Sequence, residues 1–237
     1  MPHSSRAAPS DQPFLDLVHA IISGNARKAA SLLDASPALL HEQAAVGATR
    51  NGAQSYFFEP IAHYMYAGDT ALHMAAAGFQ YEIVQTLIDQ GADCSARNRR
   101  GAQPLHYAAD SNVWNPVAQA ATIDRLMRAG ADPNVTDKSG VTPLHRAVRT
   151  RCAAAVEALL AGGAEPRGGN KRGSTPLHLA VQNTGRGSSG TPHAREQQQQ
   201  IIELLLGAGA RPDDKDEKGK TVRDAAKADW IRALLQR

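Results

Sequence analysis

Apolar residues fall along this chain in short bursts at helical spacing, divided by polar and glycine-bearing joints. Phe14, Leu15, Leu17, Val18, Ile21 and Ile22 recur at the three- and four-residue steps of one helix face. Ser23-Gly24-Asn25 breaks that run, Ala26 to Leu33 resumes it, and Ser36-Pro37-Ala38-Leu39-Leu40 reads as a short capped turn. Four later bursts each predict one helix: Ile83, Val84, Leu87, Ile88; Ile123, Leu126, Met127; Val156, Leu159, Leu160; and Ile201, Ile202, Leu204, Leu205. Helices of about seven to ten residues do not persist alone in water, so each has to bury its stripe against a neighbour.

The joints are copies of one another. Gly-Asp-Thr-Ala-Leu-His starts at Gly68, Gly-Ala-Gln-Pro-Leu-His at Gly101, Gly-Val-Thr-Pro-Leu-His at Gly140 and Gly-Ser-Thr-Pro-Leu-His at Gly173, with a degenerate Gly-Lys-Thr-Val-Arg-Asp at Gly219. The glycines are 33, 39, 33 and 46 residues apart, so two units keep a basic period and two carry extra chain. A second marker recurs in phase: Gly91-Ala92-Asp93, Gly130-Ala131-Asp132, Gly163-Ala164-Glu165 and Gly209-Ala210-Arg211. In Thr142-Pro143-Leu144-His145 the threonine suits a helix N-cap and the proline the first helical position, where its missing N–H costs nothing. Thr70 and Thr175 stand at the equivalent corner, as do His73, His106 and His178. Gly91, Gly130 and Gly162 are expected to end the second helices in the left-handed conformation.

These two markers resemble the ankyrin repeat over about two thirds of the chain. The resemblance implies an all-α fold: an ankyrin-type helix-turn-helix solenoid with short extended finger loops. Its units are expected at about 10–43, 68–100, 101–139, 140–172, 173–218 and 219–237, forming one solenoid over 10–237 after a disordered 1–9. The first unit is diverged. The last has lost its histidine and finger and is expected to act as a cap. The Gly-His usual between helices is Phe79-Gln80 in one unit and Arg151-Cys152 in another, which would displace the local helix ends.

Insertions at 44–67, 112–117 and 184–196 break the period. The first holds Tyr56, Phe57, Phe58, Tyr64 and Tyr66, five of the chain's eleven aromatics. Such a cluster either folds back as a plug over the first repeat interface or anchors a partner, and both hold if only Tyr64 or Tyr66 stays exposed. The second insertion offers Trp114. The third is Gly/Ser-rich and leads into Gln197 to Gln200, read as the first turn of an extended second helix. Both interhelical insertions should lie on the same edge of the solenoid.

Composition and charge add little until placed on this register. The chain has 237 residues, is 42% hydrophobic and carries a net charge of +3, too small to demand nucleic acid or an anionic membrane. Cys94 and Cys152 share no metal or disulfide spacing, the start lacks an apolar signal segment, and no stretch is long enough to span a bilayer. A cytoplasmic protein is expected. Gly185-Arg186-Gly187-Ser188-Ser189-Gly190 matches a dinucleotide fingerprint, but a helix precedes it and Pro192 follows, where a strand and an immediate helix are required. The corner histidines belong to separate stacked units, each occupied by its own loop, so no metal array is expected. His63 lacks an acidic or thiol partner in the sequence. No enzyme activity and no cofactor are expected.

The resemblance places partner contacts on finger residues beside the conserved glycine and on residues just after the first helix. Those positions include Tyr66, Asp69, Arg99, Arg100, Asp110, Ser111, Lys138, Arg149, Lys171, Arg172, Asn183, Glu217, Lys218 and Lys220, to which Tyr64 and Trp114 are added from the insertions. Eight of the positions are basic and three acidic. A nearly neutral chain therefore carries a basic face suited to an acidic protein partner, since arginine offers planar bidentate contacts to carboxylates. A polyanion such as nucleic acid, or a small molecule, is the alternative occupant. Aromatics interleaved with the basic residues would favour nucleic acid, but here they cluster at one end. The oligomeric state does not follow from the sequence.

Overall fold

The computed structural model describes residues 12–49, 52–110, 114–182 and 191–236, and twelve α-helices run through them in consecutive pairs. The pairs are α1 (Gln12–Ile22) with α2 (Ala26–Ala35), α3 (Ala71–Ala77) with α4 (Tyr81–Asp89), and α5 (Pro104–Ala109) with α6 (Pro116–Arg128). They continue with α7 (Pro143–Thr150) and α8 (Ala153–Ala161), α9 (Pro176–Ala180) and α10 (Pro192–Gly207), and α11 (Val222–Ala225) and α12 (Asp229–Leu234). First helices pack on first helices and second helices on second, giving two helical layers with the core between them. Leu17, Leu72, Leu105, Leu144 and Leu177 of the first layer are fully buried, as are Leu87, Ile123, Leu126, Leu159 and Leu205 of the second. Ile88, Met127, Leu160 and Leu204, expected in the same stripes, are only partly covered at its margin.

The repeated corner explains both how each unit starts and how it is joined to the next. Thr70, Thr142 and Thr175 accept the amides of His73, His145 and His178, and each threonine amide donates to its histidine's Nδ1 at 3.1, 3.3 and 3.2 Å. With Nδ1 an acceptor, the ring proton sits on Nε2 and is donated onward. It goes to Ala102, Val141, Ser174 and Lys220 carbonyls, from His73, His106, His145 and His178 in turn. Those carbonyls belong to the following unit, so each histidine serves its own corner through Nδ1 and ties it to the next unit through Nε2. In the last unit Asp224 takes the histidine's place and accepts the Thr221 amide.

Other expectations need correction. Gly162 is right-handed at φ −82°, and Gly163 at φ 90° is the left-handed residue, because α8 runs one residue further than expected. Phe79 and Arg151 leave the helix ends in place by adopting φ 51° and 60° themselves, and the Arg151 guanidinium donates to the Gln182 carbonyl. Ser36 makes no side-chain cap to the 3₁₀ turn Pro37–Leu40. Pro116 and Val117, expected in an insertion, open α6 behind the Asn115 cap. Likewise α10 begins at Pro192 behind Thr191, five residues before the glutamine run, so residues 192–196 lengthen the helix. The expected disordered 1–9, Ser111 and the 183–190 segment with its glycine pattern lie outside the described residues.

Fingers stack through their backbones. The amides of Arg99, Lys138, Lys171 and Glu217 donate to the carbonyls of Ala67, Arg100, Ser139 and Arg172. Gly140 shows why the joint is glycine: at φ 73° a Cβ would lie 2.7 Å from the Lys171 amide nitrogen. The aromatic insertion forms the one sheet among the described residues, a hairpin pairing β1 (Phe57–Phe58) with β2 (His63–Tyr64) across a left-handed Ala62, beside isolated bridges at Gln43–Thr70 and Lys215–Thr221. Residues 44 and 48 bond to 69 and 65, laying the preceding strand of chain alongside it.

Candidate functional site

The hairpin, the fingers and the first-helix layer enclose a polar cleft of about 640 Å³. Met65, Ile61 and Phe58 of the insertion face the core, Phe58 meeting His19 edge-on at 5.5 Å. Tyr64 and Tyr66 stay half-buried and line the cleft. The insertion therefore seals the first interface with one side and presents two phenols with the other. Arg100 lies 4.9 Å over the Tyr66 ring, which fixes a cation at the rim.

Beneath the rim is a buried polar floor. The Asp69 carboxylate accepts from the Tyr66 amide at 2.6 Å, Asn98 Nδ2 at 2.8 Å and the Tyr107 hydroxyl at 2.8 Å. Burial pushes its carboxyl up to about 7 against those three donors. The same burial, followed by the neighbouring Asp69 carboxylate, raises the Tyr107 phenol. Asn98 Oδ1 accepts the Arg100 and Ala102 amides, so the side chain that holds Asp69 also shapes the finger bearing Arg100. His63 is buried against the Tyr107 ring at 4.5 Å, its Nδ1–H donating to the Tyr64 carbonyl, and burial lowers its pKa.

Asp110 and Arg149, both expected to face a partner, are engaged with each other. Arg149 donates to both Asp110 oxygens at 2.7 and 2.8 Å. Arg146, 8% exposed, adds a third bond to Asp110 at 3.1 Å and bridges to Asp137 at 3.0 Å. Burial pushes the Asp110 carboxyl up, and the Arg146 and Arg149 guanidiniums outweigh it and hold it below the usual carboxylate range. The Asp137 carboxyl is also held low, because the Ser139 and Val141 amides and Arg146 outweigh burial. Arg149 is thus a half-neutralised rim group, and the surplus of positive charge lies elsewhere.

That surplus sits on the finger tips. Lys138, Lys171 and Arg172 are exposed and form no ion pair among the described residues, and the Arg100 guanidinium, also without an ion pair there, lies over the Tyr66 ring. The interfinger hydrogen bonds described above set these side chains in one row leading away from the cleft. Arg99 is exposed but turns aside to donate to the Ala48 carbonyl at 2.9 Å, beside a smaller hollow shared with Tyr64 and Tyr66. The cleft therefore assembles Tyr64, Tyr66, Arg100, Asp110 and Arg149, and the row adds Lys138, Lys171 and Arg172. Trp114 is not part of this face: it is 54% exposed beside α6, its ring edge-on to His193 at 4.9 Å. That contact does join the second and third insertions on one edge.

Sequence reasoning missed Arg146, Tyr107 and Asn98. Arg146 directly follows a corner histidine and lies one helical turn before Arg149, a spacing that could have marked the pair as neighbours. Among the described residues no group of His, Cys, Asp and Glu is placed to hold a metal, and no helix is long and apolar enough to cross a membrane.

Comparison with known proteins agrees with the repeat geometry. The family model described as ankyrin repeats (3 copies) matches residues 17–119 and again 115–216. Ankyrin repeat and SOCS box protein 6 of Homo sapiens is 36% identical over 100 residues, covering 42% of this chain and 21% of that protein. The E3 ubiquitin-protein ligase KEG of Arabidopsis thaliana is 38% identical over 89 residues, 36% of this chain and 5% of its own. The palmitoyltransferase AKR1 of Kluyveromyces lactis is 34% identical over 80 residues, 33% and 10% respectively. The chain thus spans about a fifth or less of these relatives.

Proposed function

The chain belongs to the ankyrin-repeat family, whose repeats are generally protein–protein interaction modules, and from that premise we propose that it is a non-catalytic adaptor that binds an acidic cytoplasmic protein across its finger face. The reading takes residues 10–237 as one solenoid of six units. The observation that carries it is the row of Arg100, Lys138, Lys171 and Arg172, exposed and without carboxylate partners among the described residues. Charges without internal partners cost little desolvation to redirect, and they accelerate encounter with an oppositely charged surface. Tyr64 and Tyr66 flank one end of the row and supply rigid amphipathic contact area of the kind that dominates binding energy. Aromatics at one end only fit a folded protein surface better than a nucleic acid strand, which would use stacking platforms spaced along the charges.

The test compares wild type with the Arg100→Glu, Lys138→Glu, Lys171→Glu, Arg172→Glu variant in affinity purification followed by mass spectrometry, with and without nuclease. Proteins rich in Asp and Glu that are enriched by wild type, lost by the variant and insensitive to nuclease support the reading. Recovery dependent on RNA or DNA supports the polyanion alternative, and identical recovery by both proteins rejects the finger face.

A further inference from the structure

The second-helix layer carries a separate feature that the finger face does not explain. Counted back from the equivalent left-handed glycines Gly130, Gly163 and Gly209, α6 begins four residues and α10 seven residues earlier than α8, which lies between them. At 1.5 Å per residue the flanking helices overtop α8 by about 6 and 10 Å. A trough of about 960 Å³ runs over the first turns of α8. Ala153 and Ala154 form its floor, Trp114 and Val117 one wall and Leu204 the other. The lengthened walls are built rather than frayed. Asn115 and Thr191 cap α6 and α10, each followed by proline, and the Gln197 side chain accepts the Ala153 amide, closing the start of α8.

Two of the four large hydrophobic side chains exposed among the described residues are in this trough, Trp114 at 54% and Val117 at 80%. Its charged lining residues are both acidic: Glu157 and Glu203. Neither forms an ion pair among the described residues; Glu203 only accepts from Gln199. The trough is therefore apolar along its length and negative at its edge, the opposite of the finger row. The α10 wall from Gln197 to Gly207 extends about 15 Å, the length of a helix of about ten residues.

We infer that this trough docks a short amphipathic helix of a partner protein, with aliphatic residues on one face and lysine or arginine flanking it to meet Glu157 and Glu203. A helix is the fitting occupant because the walls are helices with their backbone groups internally bonded, leaving no strand edge to extend, and a groove between helices accepts apolar side chains at i, i+3, i+4 and i+7. The second insertion supplies Trp114, Pro116 and Val117 to the trough, and the third meets it through His193, whose ring is edge-on to Trp114 at one end.

A phage-displayed library of twelve-residue helical segments, with apolar spacing fixed and charges varied, is selected on the full chain. Binders are then measured by anisotropy against Val117→Asp, Ala154→Arg and the double variant Glu157→Lys, Glu203→Lys. Val117 is exposed, so V117D retains the fold, which circular dichroism checks. The expected result is enrichment of lysine or arginine beside the apolar face, binding weakened about tenfold or more by V117D and A154R, and a charge preference inverted by the Glu-to-Lys pair. Binders unaffected by V117D, or equally enriched in acidic residues, overturn the inference. Concentration-dependent dimerisation of wild type, abolished by V117D in sedimentation, would assign the trough to a second copy and also overturn it. The finger-face reversal variant should bind the same peptides unchanged, so the two faces fail or succeed separately.

Discussion

Acidification should loosen this fold through its buried histidines, and the size of the effect follows from the corner geometry. His73 and His106 are fully buried, each accepting a backbone amide at Nδ1. Burial lowers their pKa to about 4 and about 3; for His106 the Arg146 charge adds to it. In the unfolded chain they titrate near 6.5. Above that value neither state is charged and the groups contribute nothing to pH dependence. As pH falls below it the unfolded chain takes up protons that the folded chain refuses, so stability is lost progressively until the folded pKa is reached. By pH 4 each histidine has cost about 3 kcal/mol, from 1.36 kcal/mol per pH unit over the window. Burial also lowers His63 and His145, which add loss of the same sign. Asp69 acts in the opposite direction: with a folded value of about 7 against an unfolded 3.8, it gains protons on folding in this range and returns about 3 kcal/mol by pH 4. Urea denaturation at half-unit steps from pH 7 to pH 4 should therefore show wild type losing about 3 kcal/mol or more and Asp69→Asn losing roughly twice as much. A flat profile for Asp69→Asn, or a steeper fall for wild type than for the variant, would refute the assignment of neutral, Nε2-protonated histidines at the corners.

Leu159→Ala empties a fully buried site in α8 and should lower stability by about 2 to 5 kcal/mol in a thermal or urea melt; an unshifted melt would contradict its place in the core. Gly140→Ala forces a left-handed alanine and a Cβ 2.7 Å from the Lys171 amide nitrogen, so it should cost more than the roughly 1 kcal/mol of the conformation alone. The same change at Gly91, which meets nothing within 4 Å, should cost only that conformational part. Asp110→Ala leaves Arg146 with one of its two carboxylates and should destabilise by about 3 kcal/mol, the lower end for breaking a buried ion pair. Arg149→Ala, removing the exposed member, should change stability by less than about 1 kcal/mol.

The repeat register was legible because its residues act locally. A threonine three positions before a histidine and a glycine after an apolar stripe each serve a hydrogen bond or a backbone angle that sequence spacing specifies. The left-handed glycine after α8 was legible too, since the Gly163-Ala164-Glu165 marker aligns Gly163, and not the adjacent Gly162, with Gly91 and Gly130. The start of α10 was misplaced because Gln197 to Gln200 is a visible polar run, whereas the helix is opened earlier by a Thr191-Pro192 cap of the same kind as the corners. The charged face was read from positions without partners. Arg149 and Asp110 occupy the expected places yet spend their charge on each other, and Arg146 completes their network from a position with no repeat marker. Long-range pairings such as Asp69 with Asn98 and Tyr107, 29 and 38 residues away, are set by stacking and leave no local pattern. The trough over α8 brings together residues of three units, Trp114 and Val117 with Ala154 and Leu204, and leaves no local pattern.

The central claim is that unpartnered basic finger residues recognise acidic protein surface. It is tested most directly by titrating a labelled Glu-rich peptide, and its Gln-substituted counterpart, against wild type and the four-residue charge-reversal variant over a range of salt. The account predicts that wild type binds the Glu peptide with affinity falling as salt rises, that the Gln peptide binds weakly, and that the variant loses the Glu peptide. Equal binding of the two peptides, or unchanged binding by the variant, would contradict it.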